Sequence, residues 1–257
     1  MSIKLIVLAA LVPALLAVFM AYYKGRDSRS YRIVSAVVSP VSRWLFREST
    51  SDVSPPYANV TGQLEPEWKW VHPELVGLES RRDSFSMFAK AESVWFLNSQ
   101  GPMVYRHLVG NAKVVVSVKA RKHSDHAASP DMEWQFAGIM LRDPAGGAWM
   151  SRENYVFNVV GYCCGELQVE TKSTVNGKSQ IHSKKLNGSD ADLMIERKGS
   201  KFMLRVRTDA VYPWQDLITF DRPDLPLRLQ IGLIVYAHSE GRGRHDLQAS
   251  FSGISIH

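Results

Sequence analysis

The sequence predicts an all-β domain, a sandwich or barrel of about a dozen short antiparallel strands, preceded by one N-terminal transmembrane helix. Three observations carry this reading. After residue 66 the hydrophobic pattern alternates with a period of two, and no later segment shows a helical stripe. Turn signals recur between the alternating runs. Near the N-terminus, Leu5–Tyr23 is uncharged and almost wholly apolar.

That apolar run, LIVLAALVPALLAVFMAYY, is long enough to cross a hydrocarbon core at the rise of an α-helix. Pro13 is tolerated in a membrane helix, and Tyr22 and Tyr23 fall where interfacial aromatics are expected. A cleaved signal peptide is the competing reading, since Lys4 precedes the run. Neither Ala17 nor Ala21 completes a small-x-small cleavage site, because Leu15 and Phe19 stand two residues before them. The segment therefore reads as an uncleaved signal-anchor.

Residues 1–50 carry seven Lys/Arg against two Asp/Glu, leaving 24 basic and 23 acidic side chains in the rest of the 257-residue chain. The net charge of +6 thus belongs to the anchor region. A nearly neutral β domain lacks the basic excess that phosphate backbones require, which excludes a nucleic-acid partner. Lys24, Arg26, Arg29 and Arg32 follow the span, and the positive-inside rule assigns the β domain to the cytoplasm.

The domain plan is an anchor over 1–23, a juxtamembrane linker over 24–66 and the β domain over 67–257. The linker is rich in Ser, Arg and Pro, and Val37, Val38, Val41, Trp44, Leu45 and Phe46 form an apolar patch interrupted by Pro40. That patch is either a membrane-surface or partner-docking element, or an arm lying on the β domain. A membrane-protein complex would be engaged through residues 24–50.

Strands are expected at Phe85–Ala89, Met103–Leu108, Lys113–Lys122, Glu133–Asp143, Tyr155–Tyr162 and Glu166–Ser173. More follow at Lys178–Ser183, Ala191–Arg197, Phe202–Arg207, Leu217–Phe220, Leu227–His238 and Leu247–Ile256. Asn176-Gly177 supplies the two positive φ angles of a type I′ turn, so the hairpin it joins is the best-specified local feature.

In Gly101-Pro102-Met103-Val104-Tyr105-Arg106, Phe136-Ala137-Gly138-Ile139-Met140-Leu141-Arg142-Asp143, Glu153-Asn154-Tyr155-Val156-Phe157 and Leu167-Gln168-Val169-Glu170-Thr171-Lys172, the chain resembles the concanavalin A-like proteins of the DUF1349 type. These belong to the wider laminin-G and legume-lectin group. The resemblance spans roughly residues 80–257. It implies a jelly-roll sandwich of two antiparallel sheets and an association with carbohydrate or protein binding. It also favours an extracytoplasmic β domain, periplasmic or extracellular, against the flanking charges.

Alternation assigns faces. Ala137, Ile139 and Leu141 share one face, with Arg142 opposite. Taking Tyr155, Phe157 and Val159 as the core side leaves Asn158 and Tyr162 facing out. Leu167, Val169 and Thr171 leave Gln168, Glu170 and Lys172, and Ile181 leaves Gln180 and His182. Arg142, Asn158, Tyr162, Gln168, Glu170, Lys172, Gln180 and His182 are thereby expected to line one outer sheet surface. Amide, charged and aromatic groups together suit sugar hydroxyls and ring faces. The alternative is a solvated polar face with charge pairs such as Arg142–Glu170.

Catalysis finds less support. Among the expected strands and their edges, carboxylates two residues apart occur only as Asp131/Glu133 and Asp190/Asp192, and the Glu-x-Asp-x-x-Glu pattern of sandwich-fold glucanases is absent. Gln180-Ile181-His182 matches a short alginate-lyase-type motif without the rest of its pattern. No cofactor is called for. His123, Asp125 and His126 form a loop cluster with chelating groups. The two cysteines, Cys163 and Cys164, are adjacent, so in a strand their side chains diverge and make neither an ordinary disulfide nor a zinc ligand set. Gly241-Arg242-Gly243-Arg244-His245 reads as a basic loop, and Asn59-Val60-Thr61 and Asn187-Gly188-Ser189 are glycosylation sequons. Two functions follow: a membrane-anchored, non-catalytic lectin-like module, or a structural accessory subunit of a larger membrane complex. A polysaccharide hydrolase or lyase is a distant third.

Overall fold

The computed structural model describes residues 68–81, 84–146, 152–238 and 245–257. Its strands are β1 (Lys69–Val71), β2 (Val76–Arg81), β3 (Ser84–Ala89), β4 (Met103–Val109), β5 (Ala112–Arg121), β6 (Gln135–Arg142) and β7 (Tyr155–Cys163). There follow β8 (Glu166–Val175), β9 (Lys178–Lys185), β10 (Asp190–Lys198), β11 (Lys201–Arg207), β12 (Gln215–Asp221), β13 (Arg228–Ala237) and β14 (Gln248–Ile256). One 3-10 turn, Pro73–Leu75, is the sole helical element among the described residues.

The strands form two seven-stranded antiparallel sheets. The first has the order β1-β4-β13-β6-β7-β8-β9 and the second β12-β11-β10-β5-β14-β3-β2. Each of the twelve expected strands overlaps an observed one; β1 and β2 are additional. The anchor, the linker, the sequon at Asn59 and the core of the basic loop at 241–244 lie outside the described residues. Among the described residues no helix is long and apolar enough to cross a membrane.

Alternation explains the main core. In β5, Ala112, Val114, Val116, Val118 and Ala120 are buried while the intervening residues face outward or are partly exposed. Register brings Leu193 of β10 opposite Val116, and Val206 of β11 opposite Leu193, so one apolar face builds up across the second sheet. Ala137, Ile139, Leu141, Val156, Val160 and Val169 of the first sheet pack against it. Each fully buried Val, Leu or Phe contributes about 1.5–3 kcal/mol.

The first sheet is also covered on its other face. A second cluster of Trp95, Met103, Phe136, Met140, Tyr155, Phe157, Val159, Ile234 and Tyr236 lies there. Trp95 belongs to the connection between β3 and β4, residues 90–102, which crosses this face as a strap. Ser93 anchors it through a two-bond bridge to Ala237, each bond 2.9 Å.

The expected type I′ hairpin forms between β8 and β9, with Asn176 at φ 50° and Gly177 at φ 75°. The strap packs onto this turn. Asn98 Oδ1 accepts the Glu153 amide at 3.3 Å and occupies the space beside Gly177 that a Cβ would need.

Candidate functional site

Register corrects the expected faces. Arg142 stands opposite Tyr155, Phe157 opposite Lys172, and Val159 opposite Glu170, so Arg142, Gln168, Glu170 and Lys172 share the outer face with Tyr155, Phe157 and Val159. Asn158 and Tyr162 have the opposite parity, as do Gln180 and His182, because Lys172 pairs with Ile181. Four of the eight singled-out residues are therefore together on the outer face. The other four point toward the side of the second sheet.

The outer face is not an open polar surface. Arg142, Gln168, Glu170 and Lys172 are all buried. Arg142 donates to both oxygens of Glu153 at 2.8 Å, and also to Gln230 Oε1 and the Gly146 carbonyl. Glu153 accepts a further bond from Gln100 Nε2 at 2.7 Å. The anticipated Arg142–Glu170 pair does not form. Its partner Glu153 lies before β7, where alternation along a strand gives no signal.

Glu170 instead pairs with Lys172 at 3.7 Å. The Lys172 ammonium donates to the Trp95 carbonyl at 3.3 Å and sits 4.7 Å from the Phe157 ring centroid and 5.2 Å from that of Tyr236. Burial pushes the Glu170 carboxyl above its usual range and the Lys172 ammonium below its own, each opposed by attraction to the other. The Tyr155 hydroxyl donates to the same Trp95 carbonyl at 2.8 Å. Trp95 is the residue that sequence reasoning missed; a tryptophan in a Ser-rich connection was its only signal.

The residues of opposite parity divide by position. Asn158, central in its sheet, donates from Nδ2 to the carbonyls of Met194 (3.2 Å) and Arg205 (2.8 Å), tying the two sheets together. Tyr162 is half-buried near the end of β7. On the outermost strand β9, Gln180 and His182 are exposed and joined by a 3.0 Å contact, and the His182 ring lies 6.1 Å from Phe220 of β12.

The exposed row on β9 continues to Lys184, which donates to Gln215 of β12 at 2.9 Å. Here the chain crosses from the first sheet to the second, and a cleft of about 600 Å³ opens. Arg121, Ser129, Lys184, Asn187, Asp190, Thr208 and Gln215 line it. The connection between β11 and β12 adds Thr208 to the lining, while its Trp214 stacks with Arg207, 4.7 Å from guanidinium to ring, on the face that Arg207 shares with Asp192. Polar groups of both hydrogen-bonding senses thus meet at an accessible edge.

The carboxylates of the two expected pairs are each engaged in hydrogen bonds or ion pairs. Asp190 holds Arg121 through two bonds, and Asp192 binds Arg207 at 2.6 Å and Ser117 at 2.5 Å. Asp131 pairs with Lys122, and Glu133 accepts the amides of Cys164 and Gly165. In the 123–131 loop, His123 stacks on Phe88 at 4.2 Å and contacts Gln248, while Asp125 accepts the Ala127 amide. These contacts give the loop a structural role.

No family model matches the chain, and no curated protein is significantly similar to it in sequence. Solved structures do share its architecture. A functionally unknown protein from Saccharomyces cerevisiae superposes with a TM-score of 0.60 at 16% identity, over 74% of this chain and 96% of that one. The GH43 protein BlXynB from Bacillus licheniformis gives 0.58 at 13% identity, over 75% of this chain and 37% of that one. Xylan beta-1,4-xylosidase from Bacillus halodurans C-125 gives 0.53 at 15% identity, over 76% and 40%. The chain therefore spans well under half the length of these two bacterial proteins. What is shared at such identities is the fold, and the chain is a two-sheet antiparallel β-sandwich of that shape.

Proposed function

We propose that this chain is a non-catalytic, glycan-binding β-sandwich of the concanavalin A-like, DUF1349-type jelly-roll kind, tethered to a membrane through residues 5–23. The observation that carries the binding reading is the accessible cleft beside β9. It combines amide, hydroxyl, carboxylate and cationic groups at one accessible edge. Gln180 and His182 extend it along the strand, so two of the residues singled out from the sequence take part. A similar sandwich occurs within a xylan beta-1,4-xylosidase, which supports a neutral, hydroxyl-rich polymer as ligand. The tether and an extracytoplasmic placement rest on the sequence of the N-terminal region and the family resemblance.

The test is a glycan array followed by calorimetry with xylo-oligosaccharides. Asn187→Ala, which removes an amide from the cleft lining, is expected to weaken binding about tenfold, corresponding to ~1.4 kcal/mol. An array on which the intact chain finds no glycan overturns the reading.

A second reading is favoured by the strap's tip. Phe96 and Leu97 are 47% and 55% exposed, and Leu97 holds a left-handed conformation at φ 54° that non-glycine residues rarely adopt. Such a tip suits a protein partner, as in an accessory subunit of a membrane complex. Detergent extraction and sizing separate the readings: migration in a larger assembly that Leu97→Asp disrupts favours the subunit.

A further inference from the structure

The β7–β8 turn brings together three groups whose chemistry the sandwich does not need. Cys163 ends β7 and Glu166 begins β8 as its cross-strand partner, leaving Cys164 and Gly165 as the two turn residues at φ 59° and φ 81°. Left-handed backbone at Cys164 breaks the strand alternation that would drive the adjacent side chains apart. The two sulfur atoms lie 2.8 Å from each other, with Cys163 buried and Cys164 exposed.

The third group comes from the neighbouring strand. Gln135 pairs with Tyr162, so the chain just before β6 runs alongside the turn. At Trp134 the backbone turns to φ 58°, and the Glu133 carboxylate receives the Cys164 amide at 2.6 Å and the Gly165 amide at 3.2 Å. These amides fix the carboxylate while leaving each oxygen a further lone pair. One Glu133 oxygen and both sulfurs lie within 4.8 Å of one another, the only such group of three metal-ligating side chains among the described residues.

We propose that Glu133, Cys163 and Cys164 form a binding site for a thiophilic divalent cation of the zinc type. Two thiolates and one carboxylate make a mixed S₂O set. Zinc takes Cys sulfur at about 2.3 Å and carboxylate oxygen at about 2.0–2.2 Å, and three protein ligands leave its fourth position open. On binding, each thiol releases its proton to solvent, so the dication replaces two protons and no electron is transferred. The sulfurs then separate to the edge of a coordination tetrahedron, which the exposed Cys164 side chain permits at the tip of a two-residue turn. Soft ligands exclude magnesium and calcium. The site lies at the opposite end of β8 from the Asn176-Gly177 turn and is independent of the glycan reading.

The experiment titrates the full chain, reduced and freed of metal, with zinc against a chromophoric chelator, and with cadmium while recording thiolate charge-transfer absorption. One equivalent per chain is expected with either ion. Cys164→Ser is expected to abolish the cadmium band and Glu133→Gln to weaken zinc binding about tenfold, with unchanged β-sheet circular dichroism in both. Cys164 is exposed and Glu133 half-buried, so neither change opens the core. The proposal is overturned if the reduced chain takes up no stoichiometric metal. It is equally overturned if the cadmium band survives Cys164→Ser, or if the reduced pair closes to a disulfide, two mass units lighter, in preference to binding zinc.

Discussion

Arg142 and Glu153 meet in a two-bond ion pair, 2.8 Å at each bond, with side chains only 3% and 0% exposed. The pair joins the end of β6 to the segment entering β7. Gln100 of the strap, Gln230 of β13 and the Gly146 carbonyl add further hydrogen bonds to the pair. A buried charge that loses its partner is left without water or counterion. Glu153→Ala is therefore expected to cost about 3–5 kcal/mol in chemical denaturation, and Glu153→Gln less, because it keeps an acceptor for Arg142.

Lys172 and Glu170 predict a pH signature. A carboxyl whose folded-state pKa is raised lends stability at low pH that is lost as pH rises through that folded value. An ammonium whose folded-state pKa is lowered lends stability at alkaline pH that is lost as pH falls through its folded value. Both shifts run in these directions, so the pair contributes least around neutrality. Lys172→Met alone is expected to cost about 3–5 kcal/mol at pH 7 by leaving Glu170 unpaired, while Lys172→Met with Glu170→Leu recovers most of it. Denaturation from pH 4 to pH 10 checks this: relative to the double variant, the parent chain loses stability as pH rises through the carboxylate range and regains it toward the lysine range.

Asn158 makes the sharpest test of the two-sheet arrangement. Its amide group bonds carbonyls on both β10 and β11, next to the register shift between Leu204 and Arg205. Asn158→Ala removes both bonds and leaves a small void, with an expected loss of about 2–3 kcal/mol. A thermal midpoint unchanged from the parent would contradict the cross-sheet tie.

Acid stability points to Arg222 and Asp224. The Arg222 guanidinium holds Asp224 at 2.7 and 2.8 Å and keeps its carboxyl below the usual range, while its other nitrogen serves Tyr155 O and Ser173 Oγ. A depressed carboxyl pKa stabilises above the unfolded value, and that contribution disappears as pH falls through the folded value. Asp224→Asn is expected to lose about 1 kcal/mol at pH 7, kept small because Asp224 faces solvent on one side, and to match the parent chain at pH 2.

The strands were legible wherever one face alone was apolar. Leu167, Val169 and Thr171 alternate with Gln168, Glu170 and Lys172, and the faces of β8 follow directly. In β7 the signal fails because Tyr155, Phe157 and Val159 are as apolar as Val156 and Val160: the strap buries the second face. In β9 it fails for the opposite reason. Ile181 is its only large apolar residue and lies 40% exposed, since an outermost strand has no buried face to set its parity. The strap itself and the Glu153 partner of Arg142 arise from chain crossings between distant segments, which no local pattern encodes. The same holds for the cleft, assembled from three connections far apart in sequence.

The outermost position of β9 has one more consequence. One side of this strand carries main-chain donors and acceptors that no neighbouring strand among the described residues satisfies, a template on which a second molecule would otherwise stack. Its eight residues include Lys178, Lys184 and Lys185, all exposed. An antiparallel copy laid against it would set lysine near lysine in the same strip of sheet. The strand that carries the row of Gln180, His182 and Lys184 is thereby guarded against self-association, and its free edge stays open to solvent.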